Sequence, residues 1–143
     1  MPNQVGNKFK FQLMSGNIDF DIDTFKVILL ATGQTFDIDA DHFYSDVSAK
    51  ELSNGNGYVT GGATLAGVTV TENDTNDRCD VAWNDVTWTA SGGSIGPSPM
   101  ALIYKDTGVA GTSTVVMAID FSVDKTATDG EDFKLTTPGM QIS

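Results

Sequence analysis

The stretch from Phe25 to Leu30 limits the choice of fold more than any other part of this sequence. Phe25, Val27 and Leu29 share one parity, whereas Ile28 and Leu30 share the other. Alternate side chains of an extended strand point to opposite faces, so both faces of this stretch are apolar. Such a strand belongs in the interior of a sheet that is covered on both sides. We therefore predict a central β-strand here.

Shorter apolar runs follow along the chain, and turn residues such as Asn54-Gly55 and Asp129-Gly130 separate them. The runs alternate apolar and polar residues, which is typical of strands, and they lie near residues 66–70, 79–83, 86–90, 100–105, 115–121 and 133–137. About seven or eight short strands with turns every 8–12 residues or so indicate a sandwich or a small barrel. The prediction is an all-β, antiparallel β-sandwich of jelly-roll or immunoglobulin-like type.

Residues 7–16 are ambiguous between a strand and a helix. Phe9 and Phe11 alternate with lysines as in a strand, but Phe9 and Leu13 are four residues apart, as on one face of a helix. Asn7 suits a helix N-cap and Gly16 suits a C-terminal stop. We predict at most one short helix in the chain, at the N-terminus, after a flexible arm at residues 1–7. The 143 residues are about the size of one domain, so residues 1–143 are predicted to form a single sandwich.

The charge of the chain disfavours two kinds of partner. Eight Lys and Arg residues stand against 19 Asp and Glu, which gives a net charge of −11. So negative a chain repels nucleic-acid phosphates and anionic membrane surfaces. No apolar run approaches the roughly 18 residues that cross a bilayer, and the N-terminus lacks the apolar core of a signal peptide. We expect synthesis in a cytoplasm.

The residues that usually carry catalysis are scarce. His42 is the only histidine, Cys79 is the only cysteine, and no serine lies in a G-x-S-x-G motif. A lone cysteine at strand spacing is typical of a small buried side chain, and a single cysteine excludes a disulfide within the chain. No glycine run matches a phosphate-binding loop. The sequence therefore predicts no enzymatic activity, no catalytic residues and no cofactor.

Two acidic clusters have the spacing of possible calcium ligands. Calcium takes six to eight oxygen ligands, and carboxylates at every second position converge in a bent loop. Neither cluster has the glycine and the bidentate glutamate of an EF-hand loop. The prediction is that both are solvated acidic residues and not a metal site, with calcium as the alternative; the clusters are Asp19/Asp21/Asp23 and Asp37/Asp39/Asp41.

Two segments rich in small residues are candidates for contact with another protein. Residues 91–99 hold three glycines and two prolines, which predicts a long exposed loop. Residues 53–62 combine two Asn-Gly turns with a Gly-Gly pair. Small residues in exposed loops allow a neighbour's backbone to approach closely. The predicted interface residues are Gly92, Gly93, Ile95, Pro97, Pro99, Tyr58, Gly61 and Gly62.

Several segments together resemble a family of tailed-phage virion proteins, which are small all-β structural proteins. The resemblance is carried by GNIDFDIDTFKVILL at residues 16–30, DVSAKELSNGNGYVTGGATL at 46–65, DVTW at 85–88, ALIYKDTG at 101–108 and AIDF at 118–121. These segments occur in the order of the family and are spread from about Lys8 to Leu135. The segment at 46–65 is the most specific of them. Residues 91–99 depart from the family, because relatives run directly from the D-V-x-W strand into the Y-K-D-T-G strand.

The resemblance implies a non-enzymatic virion component, most simply a capsid decoration (cement) protein on the outer surface of the head. Its expected partners are the major capsid protein or other virion proteins, together with further copies of itself in a dimer or trimer. It would be made in the bacterial host cytoplasm and end in the virion. The alternative is a tail or head-fibre module that binds a host-surface receptor or carbohydrate. Exposed aromatic rings would favour a sugar site; Trp83, Trp88 and Tyr104 have core spacing, whereas Tyr44 and Tyr58 lie in predicted loops.

Overall fold

A computed structural model describes residues 3–136 and 139–142 of the chain. Its regular structure is mostly antiparallel strand, with two short helices, α1 (Asn7–Met14) and α2 (Tyr44–Val47), and two single 3₁₀ turns at Ser48–Lys50 and Ala110–Thr112. The described strands are β1 (Gln4–Val5), β2 (Phe25–Leu29), β3 (Ala63–Thr64), β4 (Thr69–Asn73), β5 (Arg78–Ala82), β6 (Val86–Thr89), β7 (Ile95–Lys105), β8 (Val115–Ala127), β9 (Asp132–Leu135) and β10 (Met140–Ile142). The all-β prediction is confirmed.

The first sheet has the order β1-β8-β7-β2-β3. β2 lies inside it, with Val27 paired to Ile103 of β7 on one side and to Ala63 of β3 on the other. Val27 and Ile28 point to opposite faces and are both completely buried. The predicted interior strand, apolar on both faces, is therefore confirmed.

The second sheet is built from two ladders that share one register. β4 pairs with β5, β5 pairs with β10, and β6 pairs with β9. Val81 pairs with Met140, and Val86 pairs with Leu135. Between these two pairs the residue number rises by five on one side of the ladder and falls by five on the other, as in one antiparallel register. The β10-β5-β4 ladder and the β6-β9 ladder therefore have the same register, and we call them together the second sheet. The second sheet consequently has β4 at one edge and β9 with β10 at the other.

Two apolar clusters lie on the two faces of the first sheet. The larger one fills the space between the sheets, where Val27 and Ile103 meet Val81, Trp88 and Phe133 of the second sheet. The smaller one covers the opposite face, where Ile28 and Leu102 pack against Phe36 and Val47 of the connection between β2 and β3. The main core is thus that of a sandwich, and α2 with its flanking loop forms a partial third layer.

The N-terminal segment is a helix that lies against the sheet, as predicted. α1 buries Phe9 completely and is followed, after Ser15, by Gly16, whose φ of +76° is the left-handed conformation common after a helix. The N-cap is Gly6 and not Asn7, and the main-chain N–H of Gly6 donates to the Val116 carbonyl at 2.9 Å. Of the predicted arm, Gln4–Val5 pairs with β8, so these residues are part of the sheet edge.

The prediction of a long loop at residues 91–99 is wrong in its second half. Ile95 begins β7, and the side chains of Ile95 and Ser98 are buried. The prolines fit because the register with β8 shifts between Ile95 and Ser98 and again between Ser98 and Met100. At such irregular positions a missing N–H breaks no ladder hydrogen bond.

Two smaller predictions for the second sheet are also wrong. The strand expected at residues 66–70 begins only at Thr69 and is exposed along most of its length. Cys79 is only partly buried, because its strand lies next to that exposed edge. The neighbouring strand β6 does follow its pattern, with Val86 and Trp88 inside and two threonines outside.

Candidate functional site

The two segments predicted to contact a partner lie side by side. Asn56 joins them: its Nδ2 donates to the Ser94 carbonyl at 3.1 Å, and its own carbonyl accepts from the Ser91 N–H at 3.1 Å. Together they border a shallow cleft of about 280 Å³ that residues 52–56 and 94–96 line with Ala31. We call this cleft and its rim the loop surface.

Close backbone approach explains a glycine on the loop surface. Gly57 has a φ of +97°, and a Cβ at this position would lie 2.1 Å from the carbonyl oxygen of Thr89. No side chain fits there, so the turn can rest directly on the end of β6. The loop at residues 53–57 is consequently held against the second sheet by its main chain.

The predicted interface residues divide into accessible and buried ones. Gly92 and Pro97 are exposed, and Gly93 and Pro99 are half-buried. Ile95 and Tyr58 are each only 1% exposed, so their prediction as contact residues is wrong; both belong to the core. Gly61 and Gly62 are half-buried and lie beside β2 and Tyr104, away from the loop surface.

A glutamate that the sequence analysis did not single out holds the centre of this region. The Glu51 carboxylate accepts hydrogen bonds from the Tyr44 hydroxyl at 2.5 Å, the Tyr58 hydroxyl at 2.7 Å and the Gly61 N–H at 2.8 Å. The Tyr58 hydroxyl in turn accepts from the Leu29 N–H of β2 at 3.1 Å. Charge-assisted hydrogen bonds of this kind are stronger than neutral ones, so Glu51 fastens the loop to the central sheet.

Burial raises the pKa values of the tyrosines around Glu51. It raises the pKa of Tyr58 far above its ordinary value, and the hydrogen bond to Glu51 raises it further. The pKa values of Tyr44 and Tyr104 are raised as well, mainly by burial. All three hydroxyls therefore stay protonated at neutral pH, and those of Tyr44 and Tyr58 serve as donors to the carboxylate.

A second cleft, of about 370 Å³, lies next to Gly61, which forms part of its lining together with Tyr44 and Tyr104. The ring of Tyr44 lies flat on that of Tyr104, with centroids 4.8 Å apart, and the Tyr104 hydroxyl donates to the Gly61 carbonyl at 2.7 Å. Lys26 and Asp106 form an ion pair at 3.2 Å on the same wall. The Gly108 N–H, followed by Lys26, lowers the pKa of Asp106. We call this the tyrosine cleft; it offers an aromatic ring next to charged groups.

The two acidic clusters have the same local structure. The first residue of each accepts from the N–H of the second at 2.9 Å, and the third accepts from the N–H of the first at 2.8 Å. Asp23 is paired with Lys105 and Asp41 with Lys50. Within residues 3–136 and 139–142, no three His, Cys, Asp or Glu side chains are grouped to hold a metal ion. These carboxylates shape two turns and carry ion pairs.

The remaining residues with possible chemistry have ordinary surroundings. His42 is half-buried in the loop before α2, where its main-chain N–H donates to the Asp46 carboxylate and to the Ala40 carbonyl, both at 3.1 Å. Trp83 and Trp88 are 9% and 6% exposed and belong to the core between the sheets. Neither tryptophan offers an open ring to a sugar.

Comparisons with protein-family models, with curated proteins and with solved structures gave no match to this chain. Among the described helices, none has the length and apolar character needed to span a membrane.

Proposed function

We propose that the chain is a non-enzymatic structural protein of a tailed-phage virion, and specifically a decoration protein on the outer surface of the head. The observation that carries this proposal is the ordered set of segments that resembles the family, above all residues 46–65. The other virion proteins, and the major capsid protein first, are its proposed partners. The chain would be made in the host cytoplasm and assembled onto the particle there.

The residues of the most specific segment have structural roles, which supports a fold shared with that family. Asp46 accepts hydrogen bonds from the N–H groups of His42 and Phe43 at the start of α2. Tyr58 and Gly61 bind Glu51. Gly62 approaches β2 so closely that a Cβ there would lie 1.9 Å from the Val27 carbonyl oxygen. A motif whose members hold the fold together is expected to recur wherever that fold does.

The loop surface is the proposed contact with the shell. It is anchored to both sheets, so binding orders few groups and loses little conformational entropy. A single small contact binds weakly, but a homo-oligomer, dimer or trimer, engages several equivalent sites of a symmetric shell at once. The net charge of −11 would face solvent or a basic patch of the shell, and nucleic acid and membranes remain unfavourable partners.

Location on the particle tests the proposal. Antibodies against the chain, used in immunogold labelling of phage that encodes it, should decorate the head, and purified chain should bind shells that lack it. Ser94→Arg places a long side chain on the loop surface and should weaken that binding, whereas Ser45→Arg, on exposed α2, should not. Label on the tail alone, or no binding to shells, would rule out the decoration role.

A second candidate function is recognition of a host-surface receptor or carbohydrate by a tail or head fibre. The tyrosine cleft supports it, because a half-buried aromatic ring beside an ion pair is a common way to hold a sugar ring. Tyr44→Ala should then abolish binding of the chain to host cells or to a glycan array, while Ser45→Arg leaves it intact. If wild-type chain binds neither cells nor glycans, this candidate is eliminated.

A further inference from the structure

Within the described part of the chain, the edge of the second sheet at β4 is open. β4 pairs with β5 along all five of its residues, from Thr69 opposite Ala82 to Asn73 opposite Arg78. Apart from that ladder, the described residues make no hydrogen bond to the main chain of residues 69–72. An open edge presents a row of unpaired N–H and C=O groups to another strand.

The side chains of β4 leave this edge accessible. Val70 stands opposite Val81 and shares its face, yet Val70 is 43% exposed and Val81 only 2%. The first sheet therefore does not reach beneath β4, and the second sheet overhangs it. Natural edges are commonly blocked by lysine, proline or a bulge. β4 has none of these, and Glu72 is its only charged residue.

We propose that β4 pairs antiparallel with β4 of a second copy of this chain, about a two-fold axis at Thr71. Each copy would then add its second sheet to that of the other, and one continuous sheet would run through the dimer. Such a contact is isologous, since the same surface serves both copies. It would pair the open main-chain edge with that of the other copy and partly cover the exposed side chain of Val70.

An axis at Thr71 pairs the largest number of β4 residues. With the axis at Thr71, all five strand residues find a partner: Thr71 faces itself and Val70 faces Glu72 of the partner copy. Paired threonines are favourable neighbours across antiparallel strands. An axis at Glu72 would instead place two carboxylates directly opposite each other, which destabilises a pair.

Charges outside β4 also fit the register. The turn that follows, with Asp74 and Asp77, would lie alongside residues 65–68 of the partner copy, which carry no charge. The two Glu72 side chains would be diagonal neighbours, about 7–8 Å apart. Their repulsion would weaken the dimer without preventing it, so salt should strengthen association.

A pair of five-residue strands buries far less than the roughly 1,200–2,000 Å² of a stable interface. The free chain should therefore associate weakly and reversibly, and more strongly where copies are held side by side. The proposed pairing of β4 does not depend on the function proposed above. Any surface that holds many copies of the chain close together would strengthen the association.

Sedimentation velocity of the purified chain between about 10 µM and about 1 mM tests the contact. Wild type should shift from monomer to dimer over this range. Thr71→Lys, which places two ammonium groups opposite each other, should weaken the dimer at least about tenfold, whereas Thr87→Lys, at an exposed position of β6, should not. Glu72→Gln should tighten it. A wild type that stays monomeric, or a dimer insensitive to Thr71→Lys, would overturn the proposal.

Cross-linking tests the register. In a Cys79→Ser background, Thr71→Cys places two thiols directly opposite each other, so mild oxidation should give a covalent dimer in high yield. Val123→Cys in the same background is the control, since Val123 is 63% exposed on β8, outside the proposed contact. Melting curves would establish that each variant is folded. Equal yields from the two variants would refute pairing at Thr71.

Discussion

Replacing Tyr58 by phenylalanine should destabilise the protein without changing its shape. The hydroxyl that is removed donates to Glu51 and accepts from the Leu29 N–H, at 2.7 and 3.1 Å. Leu29 is completely buried, so its N–H would have neither water nor another acceptor. An unsatisfied buried N–H costs about 1–3 kcal/mol, and the lost bond to a half-buried carboxylate costs about 1 kcal/mol more. The expected loss of unfolding free energy is therefore about 2–4 kcal/mol.

Thermal and urea unfolding, followed by tryptophan fluorescence, measure this loss. For a chain of this size it corresponds to a melting temperature lower by about 5–15 °C. Tyr44→Phe is the matched control, because the Tyr44 hydroxyl contacts only the half-buried carboxylate and should cost about 1 kcal/mol. If Tyr58→Phe costs no more than Tyr44→Phe, then the Leu29 N–H is satisfied in another way and the reasoning is wrong.

Four further predictions concern stability. The raised pKa values of the three tyrosines mean that the unfolded chain loses these protons first. The tyrosines should therefore add no pH dependence to the free energy of unfolding below about pH 9, and they should lower it as pH rises beyond about 10; a flat alkaline profile in urea titrations would contradict this. Val27→Asp places an unpaired charge in the core and should abolish soluble, folded expression, and a normal melting curve would contradict the position of β2. Gly62→Ala, which combines a left-handed φ with a clash on β2, should cost at least about 3 kcal/mol, whereas Gly111→Ala, with open space around it, should stay within about 0.5 kcal/mol. EDTA should leave the melting temperature unchanged, and a clear drop would favour calcium at an acidic cluster.

The local pattern was enough to predict the elements whose surroundings are uniform along their length. β2 is covered on both faces, and its apolar residues on both faces, interrupted only by the half-buried Lys26, indicate this position directly. β6 is covered on one face, and its alternation of Val86, Thr87 and Trp88 matches its burial. The helix at Asn7–Met14 was predictable because Phe9 and Leu13 share a face and Gly16 ends it.

The pattern failed where a distant part of the chain decides the structure. Pro97 and Pro99 exclude a regular strand by themselves, yet β8 accommodates them through two register shifts. β4 reads as half-buried, but the first sheet ends before it and leaves Val70 exposed. The local sequence of β4 does not show how far the first sheet extends, and the local sequence of β7 does not show its register with β8.

The sequence by itself determined an acidic, all-β chain with one strand buried on both faces, and it singled out the loops at residues 53–62 and 91–99. The amino-acid composition and the spacing of apolar residues can be read from the sequence alone, and the conclusions just named depend only on these two properties. Only the tertiary structure decided that the two loops meet at Asn56, that Ile95 and Tyr58 lie inside, and that Glu51 binds the tyrosines. These facts depend on the paths that the loops take over the two sheets, since Asn56 and Ser94 are 38 residues apart and Glu51 meets tyrosines seven residues before and after it. No spacing rule encodes such contacts, because the fold of both sheets must exist before the side chains can meet.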